Sequence, residues 1–311
     1  MTARVPYDEM SMFHENAAEY GIPWTGPPVV RREGVTLDDG RVLSALVWGD
    51  GPAELVLLHG GAQNAHTWDT VALALDRPLV AIDLPGHGHS DGGRHGSLDL
   101  HANATDVAVA VAALAPGAAA VVGMSLGGLT TVALGAVAPD LVGAAVLVDI
   151  TPGVTAEKAA PIVAFVDGPE TFPSFDEILA RTIEFNPTRS EASLRRGILH
   201  NALQLDDGSW VWRHARHRAA EPALGTAERV AAHASLWDVL GDLAAPLMLV
   251  RGTTAQSVVD DADEAELRRR RPDARVERVE GAGHSIQGDR PVELAGLLAD
   301  FVDQLPRSAS T

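Results

Sequence analysis

Residues 119–128 read AAVVGMSLGG, and this stretch decides the fold that we predict for the chain. A short apolar run at 119–122 leads directly into Gly-x-Ser-x-Gly at 123–127. Such a run is typical of a strand that is buried on both faces of a parallel sheet. The glycines permit a tight turn into a helix, because larger side chains beside the serine would clash there. We therefore predict that Ser125 is exposed on a strained corner at a helix N-terminus.

Similar apolar runs alternate with helical stretches along the chain. The other runs lie at 55–58, 79–82, 144–148, 247–250 and 276–279. The helical stretches lie at about 66–75, 98–115, 126–138, 261–271 and 291–304. A hairpin is predicted around Asp38-Asp39-Gly40, between the segments 35–37 and 41–48. This order predicts an α/β fold with a mostly parallel, doubly wound sheet, in which ligands bind beyond the carboxyl ends of the strands.

One long interval interrupts this alternation. About 98 residues separate the runs at 144–148 and 247–250, and they contain four of the six Phe and three of the six Trp. A structureless loop of that length is improbable in a compact domain. We therefore predict an inserted, mostly helical cap at 151–235, above a core formed by 1–150 and 236–311.

Composition excludes several classes of function. The 311 residues include no cysteine, which rules out disulfides, thiolate metal sites and a cysteine nucleophile. The chain has 24 basic and 42 acidic residues, a net charge of −18, so we expect neither nucleic acid nor an anionic membrane as a partner. Residues 1–20 lack an apolar signal region, and Pro116-Gly117 interrupts the longest apolar stretch. We expect a cytoplasmic protein and leave open whether it forms a homodimer.

Two further motifs follow predicted strands. His59-Gly60-Gly61-Ala62 comes after the run at 55–58, and Gly283-His284-Ser285 comes after the run at 276–279. A serine is a weak nucleophile until a base takes its proton, and His284 is placed to be that base. The oxyanion of a tetrahedral intermediate needs two N–H donors, which we assign to Leu126 and Gly61. Gly60 and Met124 are expected to contact substrate.

These motifs, with Asp-x-Pro-Gly-His-Gly-x-Ser at 83–90, resemble in order and spacing those of the α/β-hydrolase superfamily. The resemblance covers about 30–150 and 236–305, with the cap as the variable insertion. It implies an α/β-hydrolase fold and a Ser, Asp, His order of catalytic residues along the chain. The chemistry that it implies requires no cofactor and no metal.

The catalytic acid has two candidates, because members of the superfamily place it after either of two strands. Asp149 follows the run at 144–148, where haloalkane dehalogenases and some related hydrolases have their acid. After the run at 247–250, Gln256 is near the expected position but cannot be charged, and Asp260 resembles a helix N-cap. We favour Asp149, with Asp260 as the rival.

The resemblance and the cap composition together predict a capped serine carboxylesterase. Residues 181–218 contain seven arginines and four acids, a local net charge of +3. The arginines are Arg181, Arg189, Arg195, Arg196, Arg213, Arg216 and Arg218. Because arginine binds carboxylates well, the substrate could be an anionic monoester such as a monoalkyl phthalate; the alternative is a solvated helix face.

Other functions remain as alternatives. Carbon–carbon hydrolysis of ring-cleavage products, lactonase or thioesterase activity, and a non-catalytic receptor are all compatible with this fold. Epoxide hydrolases and haloalkane dehalogenases are disfavoured, because they use a carboxylate nucleophile where this chain has Ser125. His87-Gly88-His89-Ser90-Asp91 resembles a metallo-β-lactamase motif, but that motif requires a histidine where this chain has Gly92.

Overall fold

The centre of the protein is an eight-stranded sheet with the order β1-β2-β4-β3-β5-β6-β10-β11. Our computed structural model describes residues 4–93, 99–214 and 226–306, and only the backbone of 226–232. The strands of this sheet are β1 (Val30–Thr36), β2 (Val42–Trp48), β3 (Leu55–Leu58), β4 (Leu79–Ile82), β5 (Ala120–Met124), β6 (Ala145–Val148), β10 (Leu247–Gly252) and β11 (Arg275–Val279). Strand β2 runs antiparallel to its neighbours β1 and β4, and the other neighbouring pairs are parallel.

Helices cover both faces of the sheet. They are α1 (Phe13–Tyr20), α2 (Asp69–Leu75), α3 (Leu100–Leu114), α4 (Leu126–Val137), α5 (Ala156–Val166), α6 (Phe175–Phe185), α7 (Glu191–Asn201), α8 (Thr226–Asp242), α9 (Asp261–Arg270), α10 (Ile286–Asp289) and α11 (Pro291–Asp303). Short 3₁₀ turns lie at Ala65–Trp68 and Pro139–Leu141. The predicted fold class, a mostly parallel doubly wound sheet, is confirmed.

Successive residues of the central strands enter opposite halves of the core. Leu57 belongs to the same buried cluster as Val71 of α2 and Leu298 of α11, whereas Leu58 belongs to another cluster, which includes Val107 of α3. This alternation follows from the two-residue period of a strand. Burying one such leucine contributes roughly 1.5–3 kcal/mol, so both helix layers are held to the sheet by continuous apolar contact.

Residues 151–214 contain a small sheet that the apolar runs did not reveal. Helices α5, α6 and α7 are joined by a three-stranded antiparallel sheet with the order β7-β9-β8. Its strands are β7 (Thr171–Phe172), β8 (Ala202–Gln204) and β9 (Trp210–Trp212). Phe172, Ile178 and Trp210 of this region belong to a separate hydrophobic cluster. Helix α8 runs across position 235, and residues 215–225 lie outside the described chain, so the division into core and cap stays a prediction.

No helix in the described part of the chain is both long enough and apolar enough to cross a membrane.

Candidate active site

Ser125 lies in the turn between β5 and α4. Its backbone has φ 51° and ψ −117°, a conformation that residues other than glycine rarely adopt. A Cβ atom at Gly123 would lie 2.2 Å from the carbonyl oxygen of Gly127, and one at Gly127 would lie 2.3 Å from that of Leu58. Both positions therefore require glycine, and the strained turn directs Ser125 toward a cavity that it lines.

Two backbone N–H groups near Ser125 have no hydrogen-bond partner within the described part of the chain. They belong to Leu126, the first residue of α4, and to Gly61, which lines the same cavity as Ser125. The N–H of Gly60, by contrast, donates to Oε1 of Gln63 at 3.2 Å. Unpaired N–H groups at a helix N-terminus and in a nearby loop can stabilise a developing oxyanion.

The loop that contains Gly60 and Gly61 is held by His59, a role that the sequence did not reveal. Its Nδ1 bonds to the Gly60 carbonyl oxygen at 2.7 Å, and the N–H of Leu84 donates to its Nε2 at 2.9 Å. Burial, with a smaller effect from His87, lowers the pKa of His59 to about 3. The ring is therefore neutral at ordinary pH, with the proton on Nδ1, and it connects two loops at the edge of the sheet.

His284 lies in the loop after β11, and its ring bonds to Asp149. The distance between Nδ1 of His284 and Oδ2 of Asp149 is 3.0 Å. The opposite nitrogen, Nε2, is buried and has no hydrogen-bond partner in the described structure. His284 and Ser125 line the same cavity, although no hydrogen bond joins them. Catalytic hydrogen bonds are often long or misaligned until substrate binds, so this arrangement is compatible with proton transfer.

Asp149 is fully buried and its carboxylate accepts several hydrogen bonds. Oδ1 accepts from the N–H of Gly252 at 2.9 Å and from the hydroxyl of Ser257 at 2.6 Å. Oδ2 accepts from the N–H of Val258 at 3.0 Å in addition to His284. The end of β10 and the loop after it thus supply donors to Asp149, and the sequence did not reveal this role of Ser257.

Asp260, the rival acid, bonds to other partners. Its side chain accepts from the N–H of Asp263 at 2.9 Å and so caps helix α9. It also forms an ion pair with Lys158 at 2.8 Å, and its side chain is 53% exposed. The Lys158 hydrogen bond, more than the cap itself, lowers the pKa of Asp260 to about 2.

The cavity in front of Ser125 has a volume of about 230 Å³. Gly60 and Met124, the residues expected to contact substrate, both line it. A Cβ atom at Gly60 would lie 2.5 Å from Sδ of Met124, so the glycine is needed for close approach. Residues 151–214 contribute the opposite wall, which includes Phe165 and Phe185.

The cation in this cavity is Lys158 rather than an arginine. Lys158 is held by ion pairs of 2.8 Å to Asp260 and 2.7 Å to Asp263. Five of the seven arginines at 181–218 lie in the described residues, and none of these five lines this cavity. They are Arg181, Arg189, Arg195, Arg196 and Arg213. The remaining two, Arg216 and Arg218, lie outside the described residues.

A second cavity of about 150 Å³ adjoins the first, and Arg189 and Arg196 line it. The two cavities share part of their lining. The shared residues are Ala62, Gln63, Phe165 and Asn186.

One group of residues in the described ranges could be considered for a metal, and it consists of His66, Asp69 and His200. Their arrangement is unfavourable, because the two imidazole rings are stacked with centroids 3.7 Å apart and an interplanar angle of 13°. Ring lone pairs lie in the ring plane, so an ion held by both rings would lie well outside at least one plane. The group does not include His87 or His89 of the metallo-β-lactamase-like motif.

Comparison with known proteins identifies the family to which this fold belongs. A family model described as the alpha/beta hydrolase fold matches residues 54–291. Esterase Rv0045c of Mycobacterium tuberculosis is 43% identical over 304 residues, 95% of this chain and 96% of that protein. The 2-(acetamidomethylene)succinate hydrolase of Mesorhizobium japonicum is 29% identical over 271 residues, 86% of this chain and 94% of that protein.

Solved structures give the same result. A structure of esterase Rv0045c superposes with a TM-score of 0.82 at 43% identity and covers 96% of this chain and 100% of that one. A crystal structure of E-2-(acetamidomethylene)succinate hydrolase gives a TM-score of 0.75 at 26% identity, covering 88% of this chain and 100% of that one.

Proposed function

Because the chain belongs to the α/β-hydrolase fold family, we propose that it is an esterase that uses Ser125 as nucleophile, His284 as base and Asp149 as the acid that orients His284. The hydrogen bond between Asp149 and His284 is the main observation in support of this proposal. It fixes the proton on Nδ1 and leaves the unpaired Nε2 to accept a proton in the cavity of Ser125.

The proposed reaction has two stages. His284 Nε2 takes the proton of Ser125 while Oγ attacks the ester carbonyl, and the N–H groups of Leu126 and Gly61 stabilise the oxyanion. The intermediate expels the alcohol, which receives the proton from His284 and leaves an acyl-enzyme on Ser125. A water molecule then gives a proton to His284 and attacks the acyl-enzyme carbonyl. When this second intermediate collapses, Ser125 Oγ leaves and takes the proton back from His284, and the carboxylic acid is released.

We propose a carboxylic ester with a free carboxylate as substrate, of which a monoalkyl phthalate is one example. One relative is named an esterase, which favours ester cleavage over carbon–carbon hydrolysis. Another relative is named for the hydrolysis of a succinate derivative, and succinate has two carboxylates. A small-molecule partner and a cytoplasmic location stay predictions from the sequence.

The experiment that tests this function compares Ser125→Ala and His284→Gln with the parent enzyme on a neutral chromogenic ester. Each substitution should lower kcat by about 10⁴-fold or more, because nucleophile and base act as one unit. Circular dichroism and thermal melting provide the control for folding. Folded variants that retain most of the parent activity would contradict the proposal.

A further inference from the structure

We infer that the second cavity binds the free carboxylate of an ester substrate, and that Arg189 is the residue that pairs with it. This inference rests on the proposed function, since it specifies where one end of that substrate lies. It assigns the substrate class as monoesters of dicarboxylic acids, with the scissile carbonyl at Ser125 and the carboxylate at Arg189.

Arg189 is a cation without an ion pair in the described structure. Its Nε is buried and has no hydrogen-bond partner, and its Nη2 donates to the Ser193 hydroxyl at 2.5 Å. Two acids, Glu19 and Asp289, act electrostatically on Arg189, but both have other partners. Glu19 pairs with Arg196, and Asp289 accepts the N–H of Gly283 at 2.8 Å. Burial lowers the pKa of Arg189 more than its neighbours raise it. A guanidinium in this setting is stabilised by an anion that enters the cavity.

The guanidinium of Arg189 lies against Gly288. A Cβ atom at Gly288 would lie 3.0 Å from Cζ and 3.2 Å from Nε of Arg189. Gly288 belongs to helix α10, which begins two residues after His284. Tyr20 supports the same helix, because its hydroxyl donates to the Gly288 carbonyl oxygen at 2.9 Å. Arg189 is therefore positioned against the segment that follows the proposed base.

The other charges of this cavity compensate one another. Arg196 pairs with Glu19. Burial lowers the pKa of His66, but Asp69 and Glu9 together raise it to about 9, and His66 bonds to Asp69 at 2.9 Å. Among the described lining residues, Arg189 thus supplies the uncompensated charge, and it is positive in a chain whose net charge is −18. Such a cavity favours an anion over a neutral chain.

The two cavities adjoin in a way that suits such a substrate. Ala62 and Gln63, directly after the proposed oxyanion donor Gly61, line both cavities, as do Phe165 and Asn186. A chain that starts at an ester carbonyl near Ser125 could thus pass Phe165 and end at Arg189. Apolar contacts would bind the middle of the substrate, and the ion pair with Arg189 would bind its carboxylate end.

A matched pair of substrates tests this inference. The para-nitrophenyl ester of hexanoate and the mono-para-nitrophenyl ester of adipate have the same chain length, but only the adipate ester has a carboxylate. We expect Arg189→Gln to lower kcat/KM for the adipate ester by about 10- to 100-fold, mainly through KM, and for the hexanoate ester by less than about 2-fold. Arg189→Lys should recover part of the loss.

Arg195→Gln is the matched control. Arg195 belongs to helix α7, lies over the Phe175 ring at 4.7 Å and lines neither cavity. This substitution should leave kcat/KM unchanged for both esters. Equal losses for both esters in Arg189→Gln would indicate a structural role and would overturn the inference.

A binding measurement separates this inference from the proposed function. Calorimetry with Ser125→Ala should detect adipate, and the double variant with Arg189→Gln should bind it at least about 10-fold more weakly. If adipate binding depends on Arg189 but Ser125→Ala still cleaves esters, the serine mechanism is refuted and the carboxylate site is not. Adipate binding that is absent, or that is unchanged without Arg189, would refute the carboxylate site.

Discussion

His284 and Asp149, 135 residues apart in the chain, are joined by a 3.0 Å hydrogen bond between Nδ1 and Oδ2. Asp149 follows β6 and His284 follows β11, and β10 lies between these two strands in the sheet. The end of β10 and the loop after it contribute donors to Asp149, so three strand ends meet at one carboxylate. Parallel strands bring their carboxyl ends to the same edge, which is why this site forms there.

Replacing Asp149 should identify the acid. Asp149→Asn should lower kcat by about 10⁴-fold, because an amide does not hold the imidazole in the required tautomer. Asp260→Asn should leave kcat within about 2-fold, since asparagine also caps helices and the exposed ion pair with Lys158 contributes at most about 1 kcal/mol. Initial rates on one chromogenic ester give both values. Comparable losses in the two variants would contradict the assignment of Asp149.

This pair of aspartates also shows what the sequence could not decide. The sequence predicted the strands because buried parallel strands are continuous apolar runs, and it placed both candidate acids after strands. The choice between Asp149 and Asp260 depends on which carboxylate the ring of His284 contacts in the folded protein. Strands β7, β8 and β9 were not predicted, because segments of two or three residues are too short to show the alternating pattern of a strand. The sequence also could not distinguish Arg189 from the other six arginines at 181–218, because composition does not show which arginines are buried or paired.

Replacing Gly60 or Gly61 with alanine should affect activity differently, although the two glycines are adjacent. At Gly60 a Cβ atom would lie 2.5 Å from Sδ of Met124 and 3.3 Å from Cβ of Ser125, whereas at Gly61 it would meet nothing within 4 Å. Gly60→Ala should therefore displace the site and lower kcat by about 10-fold or more, since small misplacements of reacting groups are costly. Gly61→Ala keeps its backbone N–H and should retain activity within about 3-fold, as oxyanion stabilisation requires the N–H alone. The reverse order of activities would count against the proposed oxyanion loop.

The turn around Ser125 should tolerate no side chain at Gly127. Because a Cβ atom there would lie 2.3 Å from the Leu58 carbonyl oxygen, Gly127→Ala should lower the free energy of unfolding by about 2–4 kcal/mol. Gly296 in helix α11 is exposed and has no atom within 4 Å of its Cβ position. Gly296→Ala should raise stability by about 0.5–1 kcal/mol, because alanine favours helices. Urea unfolding of both variants checks the two signs, and equal effects would refute this account of the turn.

Stability should depend on pH through His66. Burial lowers the pKa of this ring, but Asp69 and Glu9 raise it to about 9, above the 6.5 of a free imidazole. Because the folded state favours the protonated ring, its contribution is complete below pH 6.5 and disappears as the pH rises through about 9. Arg32 and His200 also face this ring.

Urea unfolding of the parent protein and of His66→Gln tests this linkage. The measurements run from about pH 6 to about pH 9.5, a range that includes the pKa of free imidazole and the pKa of His66 in the folded protein. The difference in unfolding free energy should shrink by at most about 3 kcal/mol, at 1.36 kcal/mol per pH unit. A difference that stays constant, or grows with pH, would show that His66 is not a buried cation.

Mass spectrometry of the acylated protein tests the serine mechanism most directly. The enzyme is mixed with an excess of a para-nitrophenyl ester, quenched in acid within the first turnovers and digested with protease. Our account predicts one acyl group, located on the peptide that contains Ser125 and missing from Ser125→Ala. Rapid ester turnover with no acylated peptide, or with the acyl group on another residue, would contradict it.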